Sequence, residues 1–578
     1  MTVGAIASIR RGYACVPAAR GGARMVHYRV CGTGPAVVLL HDSPRSSRLH
    51  VPLMKVLASR FQVFALDTPG YGNSDPLGLE HPTIPDFAEA LGEALDALGL
   101  AQAPLYATHT SAKIALALAV RGGRMPLLVL DGLSIPDQPA GDAFIDAYMR
   151  PFMPEPTGAW LAAEWSRTRD MLRWFPWFSC NPQHRIAMEP PSPEWMEDYG
   201  IDLFSAGPSY AQAYAAAMRW SPLDDLHAVR IPTIVGARTD DVLYPHLEKV
   251  PCTGNRALSV QRLGADRVAW AEWIEASLAN AAPTEAARPQ PRAGAGAAPA
   301  PSPATRGYVT LGHGQLHWMR HPGPVGGASR PLVILSAPST LEAHQWAERF
   351  SALRPVIVPD LPGFGDSDPL PDADPDALAD ALAALVGRLE PEACDVLAIG
   401  LAAPIGARMA ARRPGLVATL AIWGAPEPSA RDEALAPAIA FDPLAGSHLH
   451  RFWHMLRDSA VQWPWHDARP QAARPGCGLP DAADLHLALT GMLKQRTNYA
   501  QAIAAALAAN EPADWQRVNG PVLVAVGDDP AMAASQTLIG LLADATAFIV
   551  PADPQQAAQA LHTALAGAGI RAQEKAMA

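Results

Sequence analysis

The sequence predicts an α/β protein of two tandem domains, each a mostly parallel sheet flanked by helices and carrying a helical cap insertion. Three observations predict it. The 578 residues exceed the roughly 250–300 at which a single core stops growing. An Ala/Pro/Gly-rich stretch without periodicity, "NAAPTEAARPQPRAGAGAAPAPSPATR" (280–306), divides the chain and reads as a semi-extended linker. On either side of it the same order of apolar runs, Pro-Gly turns and helical segments recurs, the pattern of a parallel sheet.

The halves correspond phrase by phrase. Both open with a similar strand, "GYACVPAARGGARMVHYR" (12–29) and "GYVTLGHGQLHWMR" (307–320). Short apolar runs follow, "AVVLLH" (36–41) and "PLVILS" (331–336), of the kind expected for strands buried on both faces. A near-identical turn comes next, "ALDTPGYGNSDPL" (65–77) and "VPDLPGFGDSDPL" (358–370). The expected boundaries are a first domain at 1–279 with its cap at about 135–222, and the linker at 280–306. The second domain is expected at 307–570 with its cap at about 427–513, followed by a tail at 571–578.

Composition narrows the function. Hydrophobic residues at 49% and charged residues at 17% describe a well-buried globular chain. A net charge of −11 with no Lys/Arg run argues against nucleic acid. The six cysteines are scattered, with no C-x-x-C pair, which fits reduced thiols better than a disulfide frame or a zinc site. The arginines near the N-terminus follow its apolar run rather than precede it, unlike a signal peptide. No uninterrupted apolar run is long enough to span a membrane. A cytoplasmic protein without metal or cofactor is expected, acting on a small molecule, with its two halves in contact.

The repeated turn Asp-x-Pro-Gly-x-Gly-x-Ser (Asp67 to Ser74, Asp360 to Ser367) resembles a turn of the α/β-hydrolases. "HDSP" (41–44) sits where that family has His-Gly-x-Pro, which implies an oxyanion-hole role near His41, Asp42 and Ser43. "YATHTSAKIAL" (106–116) stands at the nucleophile elbow, G-x-S-x-G. Aligned as Thr108-His109-Thr110-Ser111-Ala112, it places Thr110 in the nucleophile's seat, with Ser111 beside it. The second half reads "AIGLAAPIG" (398–406) and places Ala402 there. Alanine has no nucleophilic atom, so that half reads as a pseudo-domain.

The resemblance also implies an acid after the penultimate strand, at Asp240 or Asp241 in one half and Asp528 or Asp529 in the other. The bland alternative is a turn carboxylate capping a helix. The family's general-base histidine is missing from both halves, where Asp266 and Asp553 stand near its position. A hydroxyl without an adjacent base is a poor nucleophile. Thr110 is therefore expected to orient substrate or water rather than form an acyl-enzyme.

Comparing the halves separates scaffold from chemistry. Trp165, Arg169 and Trp177 recur as Trp453, Arg457 and Trp465. They read either as an aromatic pocket with an arginine for a carboxylate or as cap packing, and their survival beside Ala402 favours packing. His41, Asp42, His109, Thr110, Lys113, Arg238 and His246 occur in the first half alone. The expected function is an α/β-hydrolase-family enzyme with one atypical site in the N-terminal half. Thr110, Asp241, Asp240, His109 and His246 are its candidate catalytic residues. His41, Asp42, Ser43, Ser111, Trp165, Arg169 and Trp177 are candidates for oxyanion or substrate binding. The expected reaction cleaves an ester or carbon–carbon bond of a small, aromatic acid. The alternative is an inactive pseudo-hydrolase that binds a small molecule.

Overall fold

The computed structural model describes residues 8–17, 22–186, 189–281, 305–326, 329–390, 392–475 and 478–577. Contacts divide the chain into two compact units, Met1–Met153 with Ala163–Ala297, and Pro154–Ala162 with Ala298–Ala578. Most of the expected linker, 282–304, lies outside the described residues, as does Cys477. The residues read as a tail continue the last helix, Pro554–Met577.

In the first unit the strands are β1 (Arg10–Val16), β2 (Arg24–Cys31), β3 (Ala36–Leu40), β4 (Gln62–Leu66), β5 (Leu105–Thr108), β6 (Leu128–Asp131), β7 (Thr233–Arg238) and β8 (Leu258–Leu263). They form one sheet in the order β1-β2-β4-β3-β5-β6-β7-β8. β2 runs antiparallel to β1 and β4, and the remaining pairs are parallel. The second unit repeats this with β9 (Thr305–Leu311), β10 (Gly314–His321), β11 (Leu332–Ala337), β12 (Val356–Pro359), β13 (Cys394–Gly400), β14 (Val417–Trp423), β15 (Val522–Val526) and β16 (Ala545–Ile549). Their order is β9-β10-β12-β11-β13-β14-β15-β16. The apolar runs are central strands: Val37, Leu39, Val63, Ala65 and Val129 are fully buried in the first unit's core. Leu332, Ile334, Val356 and Leu397 fill the same role in the second.

The repeated turn motif has a physical explanation. Asp67 takes a hydrogen bond from the Ser47 amide (2.6 Å) and pairs with His27 Nδ1 at 2.7 Å. Ser74 Oγ receives the His27 amide and donates to the Asp67 carbonyl, both at 2.9 Å. Asp360, His317 and Ser367 reproduce the pattern, with His317 Nδ1 at 3.0 Å from Asp360. Gly72 (φ +53) and Gly365 (φ +52) lie so close that a Cβ would meet the aspartate oxygen at 2.2 and 2.4 Å. The motif is a buried hydrogen-bonded pin that holds β2 and β10 to their sheets. Burial opposes the Asp67 charge, but the facing His27, His41 and the Asn73 amide together offset it and hold the carboxyl well below its ordinary range.

Between β6 and β7 lie the helices Asp142–Tyr148, Trp160–Met171, Pro193–Ala206 and Tyr210–Arg219. In the second unit, helices Ser447–Ser459, Ala482–Lys494 and Tyr499–Ala508 lie between β14 and β15.

Candidate active site

The elbow is centred one residue earlier than the sequence alignment placed it. β5 ends at Thr108, and the sharp turn into the helix Thr110–Val120 is made by His109, at φ 49 and ψ −109. Thr110 is the first helical residue, buried, and its hydroxyl makes no hydrogen bond among the described residues. The five-residue motif is therefore Ala107-Thr108-His109-Thr110-Ser111, with histidine in the nucleophile's seat. The misreading has a simple cause: without the flanking glycines the frame was free to slip, and only the end of the strand fixes it.

The same correction applies to Ala402. Leu40 pairs with both Leu66 and Ala107, while Leu335 pairs with Ala398. Stepping two residues along each strand equates His109 with Gly400, which also has positive φ (+59). Leu401 then matches Thr110, Ala402 matches Ser111, and Ala337 matches Asp42.

His109 holds the acid directly. Its Nε2 lies 2.9 Å from Asp241 Oδ2, and Asp241 Oδ1 accepts the Leu243 amide at 2.8 Å. Room for this pair comes from Gly132 (φ +67), where a Cβ would lie 2.6 Å from the imidazole and 3.0 Å from Asp241. Burial opposes the imidazolium, but Asp241, with Asp42 and Asp131 beyond it, raises the His109 pKa from 6.5 to about 9. At neutral pH His109 is a cation, and its side chain is 34% exposed.

Asp240 is not part of this pair. It faces Arg238 (2.8 Å) and Arg267 (3.3 Å). His246 is also elsewhere: its Nδ1 accepts the Ile135 amide at 2.8 Å. Asp266 caps the helix Arg267–Ala279, accepting from Val268 (2.7 Å) and Ala269 (3.0 Å). Asp553 accepts from the Gln556 amide at 2.7 Å. The family's histidine position is thus a helix cap in both units.

The "HDSP" turn is built beside the elbow. His41 Nε2 accepts the Thr68 amide at 2.9 Å, so its Nδ1 carries the proton and donates to the Asp42 carbonyl at 2.7 Å. Ser111 Oγ donates to the His41 carbonyl, and Ser43 forms the cis peptide bond to Pro44. His41 and Ser111 fix the turn rather than face a substrate. The backbone N–H groups suited to an oxyanion belong to Asp42 and to Thr110, the residue after the elbow, whose amide has no intrahelical acceptor. The Asp42 side chain stands beside them. Burial raises its pKa, with His109 and Arg45 opposing and Asp202 reinforcing the rise.

Several residues of this surround went unread in the sequence. Arg45 binds Asp202 of the cap helix at 2.8 Å and lies over Trp195 at 4.9 Å. Tyr199 and Tyr214 from the cap lie within the electrostatic reach of Asp42. The rings of Tyr148 and Tyr214 meet edge to face, with centroids 6.0 Å apart. One available signal was the pair "YAQAYAAAM" (210–218) and "YAQAIAAAL" (499–507), which differ at Tyr214 against Ile503 and, conservatively, at Met218 against Leu507.

The shared tryptophans pack the cap. Trp165 is buried. Trp177 Nε1 donates to the Tyr148 carbonyl at 2.8 Å, as Trp465 Nε1 does to Ala434 at 3.0 Å. Arg169 lies on the same cap helix, Trp160–Met171. Lys113 Nζ is buried against the Ala217 and Trp220 carbonyls, both at 2.7 Å, and burial lowers its pKa to about 8.

Among the described residues, one cluster has spacing suited to a metal: His317, Asp360 and Asp366. It coincides with the turn pin, and Lys494 Nζ lies 3.0 Å from Asp366.

No protein-family model matches the chain. Haloalkane dehalogenase 2 of Mycobacterium tuberculosis (strain ATCC 25618 / H37Rv) is 35% identical over 107 residues, 18% of this chain and 37% of that protein. A putative carbamate hydrolase, RutD, from Caulobacter sp. (strain K31) is 28% identical over 221 residues, 37% of this chain and 77% of that protein. The chain thus spans little more than a third of the length of the dehalogenase. Among solved structures, a thermophilic esterase from Thermogutta terrifontis is 18% identical with a TM-score of 0.37, covering 47% of this chain and 100% of that one.

Two eight-stranded, mostly parallel sheets flanked by helices, each with the same strand order and elbow, define the α/β-hydrolase fold. The chain is a tandem α/β-hydrolase-fold protein.

Proposed function

We propose that the N-terminal unit is the single active site of an α/β-hydrolase-family enzyme that works by acid–base chemistry without a covalent nucleophile. The observation that carries this reading is His109 in the elbow seat, cationic and paired with Asp241, with Asp42 as the neighbouring carboxylate. The substrate is a small aromatic acid or its ester, a reading supported by the tyrosines of the cap.

For an ester, Asp42 takes a proton from water as the oxygen adds to the carbonyl carbon. His109 then donates a proton to the departing alkoxide. For a carbon–carbon bond beside a hydroxyl, Asp42 takes the hydroxyl proton and His109 protonates the leaving carbon. A base with a raised pKa and an acid that stays protonated at neutral pH are suited to these roles. Thr110 serves through its backbone amide.

The test is turnover of a panel of aryl esters by the full chain, with a fluorophosphonate probe alongside. Wild type should turn over without covalent labelling, and Asp42→Asn should lose about a hundred-fold, the typical worth of a general base. Stoichiometric labelling in the N-terminal half would overturn the non-covalent route. Absence of turnover across the panel, with ligand binding retained, would favour the second reading, an inactive small-molecule-binding pseudo-hydrolase. That reading draws on the helix caps Asp266 and Asp553, which occupy the position of the family base.

A further inference from the structure

The floor of the first unit's site carries two polar groups whose capacity is not used within the protein. Neither oxygen of the Asp42 carboxylate accepts a hydrogen bond from a described residue, and Oδ1 is buried without a partner. His109 commits Nε2 to Asp241 and leaves Nδ1 without a partner among the described residues, on a side chain with 34% exposure. A carboxylate left without partners in a largely enclosed site is costly. A cation beside it attracts it but does not satisfy its lone pairs. Together the two groups offer one acceptor and one donor to a single bound molecule.

The walls add a second constraint. The cap helices carry Tyr199 and Tyr214, both within the electrostatic reach of Asp42, and Tyr148 meets Tyr214 edge to face at 6.0 Å between ring centroids. Tyr148 continues into Phe144 (5.7 Å, stacked) and Phe175 (5.5 Å). Flat, apolar faces with a polar tip suit a planar ring.

The second unit supplies an independent observation. Asp42, His109 and Tyr214 are replaced together, by Ala337, Gly400 and Ile503, while the turn pin and the cap tryptophans persist. Ile503, the counterpart of Tyr214, lines an apolar cavity of the second unit together with Leu361, Phe364, Leu401 and Ile405. Groups that disappear as a set while the scaffold remains are groups that act on one ligand.

We propose that the site binds a planar ring compound whose edge carries an N–H or O–H donor next to a carbonyl acceptor, the donor meeting Asp42 and the carbonyl meeting His109 Nδ1. This deepens the acid–base reading, on whose two residues it rests, by naming the polar edge that the ligand must present.

Isothermal titration of the full chain with 2-quinolone and with N-methyl-2-quinolone tests it. The two probes share ring and carbonyl and differ in the donor. Wild type should bind 2-quinolone at least about ten-fold more tightly, the worth of one hydrogen bond to a charged group. Asp42→Ala should erase that difference, and Ala337 shows that alanine fits this position of the fold. His109→Gly should weaken both probes by a similar factor. Equal binding of the two probes by wild type, no binding of either, or discrimination that survives in Asp42→Ala would each overturn the inference. Turnover is read separately: discrimination without turnover defeats the catalytic reading alone, and turnover without discrimination defeats this one alone.

Discussion

At the end of β5 the first unit places His109, and at the end of β13 the second places Gly400, both with positive φ (+49 and +59). Glycine adopts that conformation freely, whereas a non-glycine residue there carries strain of about 1–3 kcal/mol. The second unit has therefore relaxed its elbow, and the first retains the strained residue. The acids differ in the same sense. Asp241 and Asp529 each accept a backbone amide two residues on, at 2.8 and 2.9 Å. Asp241 gives its other oxygen to His109, while Asp529 gives its to Arg474 Nε at 2.9 Å. Arg474 also reaches Glu342 at 3.0 Å and the Ser459 carbonyl at 2.8 Å. One fold thus carries a polar site in one unit and an ion-paired, apolar filling in the other. What the units share is scaffold, and what separates them is chemistry.

The sharpest way to break this contrast is to exchange the elbow residues. His109→Gly should lower turnover by at least about a thousand-fold, the general-acid contribution. It should also leave the unit folded but less heat-resistant at neutral pH, because the lost pair with Asp241 outweighs the strain released. Gly400→His should create no activity, since Ala337 offers no carboxylate beside it. Steady-state kinetics with a thermal melt on each variant reads both effects. Activity in His109→Gly near wild type would end the assignment of His109.

The shared pins should respond alike. Asp67→Ala and Asp360→Ala each leave a buried histidine and at least one backbone amide without their acceptor, and each should destabilise its own unit by about 3 kcal/mol. Denaturant titration of the two variants checks this. A large loss in one and none in the other would show that the repeated motif is not common scaffold.

The contrast also predicts a pH dependence confined to the first unit. The His109 pKa is raised from 6.5 to about 9 by its carboxylate neighbours against the cost of burial. A raised folded pKa means that the pair's stabilisation is fully present below pH 6.5 and is lost as pH rises through about 9. Turnover should fall along the same alkaline limb as the acid loses its proton. His109→Gln should flatten the stability curve between these values. A limb that persists in His109→Gln would assign it to another group, with Lys113, whose pKa burial lowers to about 8, the first to examine.

How much of this was legible in the sequence follows from the kind of signal each feature leaves. The strands announce themselves because central parallel strands must be apolar on both faces. The turn pin is legible because its aspartate, glycine and serine are fixed by close contacts that repeat at constant spacing. The acid position was legible only as Asp240 or Asp241, and Asp42 only as part of the oxyanion turn. The identity of the elbow residue did not, because the glycines that normally frame it are absent and a one-residue slip changes no other expectation. The cap tyrosines were hidden for another reason: Tyr199 and Tyr214 reach Asp42 from helices more than a hundred and fifty residues downstream, and nothing local marks them. Sequence comparison of the halves finds differences, but only the register of β3, β5 and β11 aligns them correctly.

The smallest expected effect concerns Thr110, which the frame slip had placed in the nucleophile's seat. Its side chain is buried and makes no hydrogen bond among the described residues, so removing the hydroxyl leaves no partner unsatisfied. Its contribution is the backbone amide at the first position of the helix Thr110–Val120, and Thr110→Ala keeps that amide. Alanine is also the better helix former, by a few tenths of a kcal/mol. The lost methyl offsets this by about 1 kcal/mol of buried surface. Thr110→Ala should therefore change turnover by less than about five-fold, a shift under 1 kcal/mol in the barrier, with a melting temperature close to wild type. Thr110→Pro, which removes the amide itself, should by contrast reduce turnover by about a hundred-fold, as loss of one oxyanion donor does, and proline is tolerated at a first helical position. A thousand-fold loss in Thr110→Ala at unchanged stability would return the hydroxyl to the reaction and move the centre of the site from His109 to its neighbour.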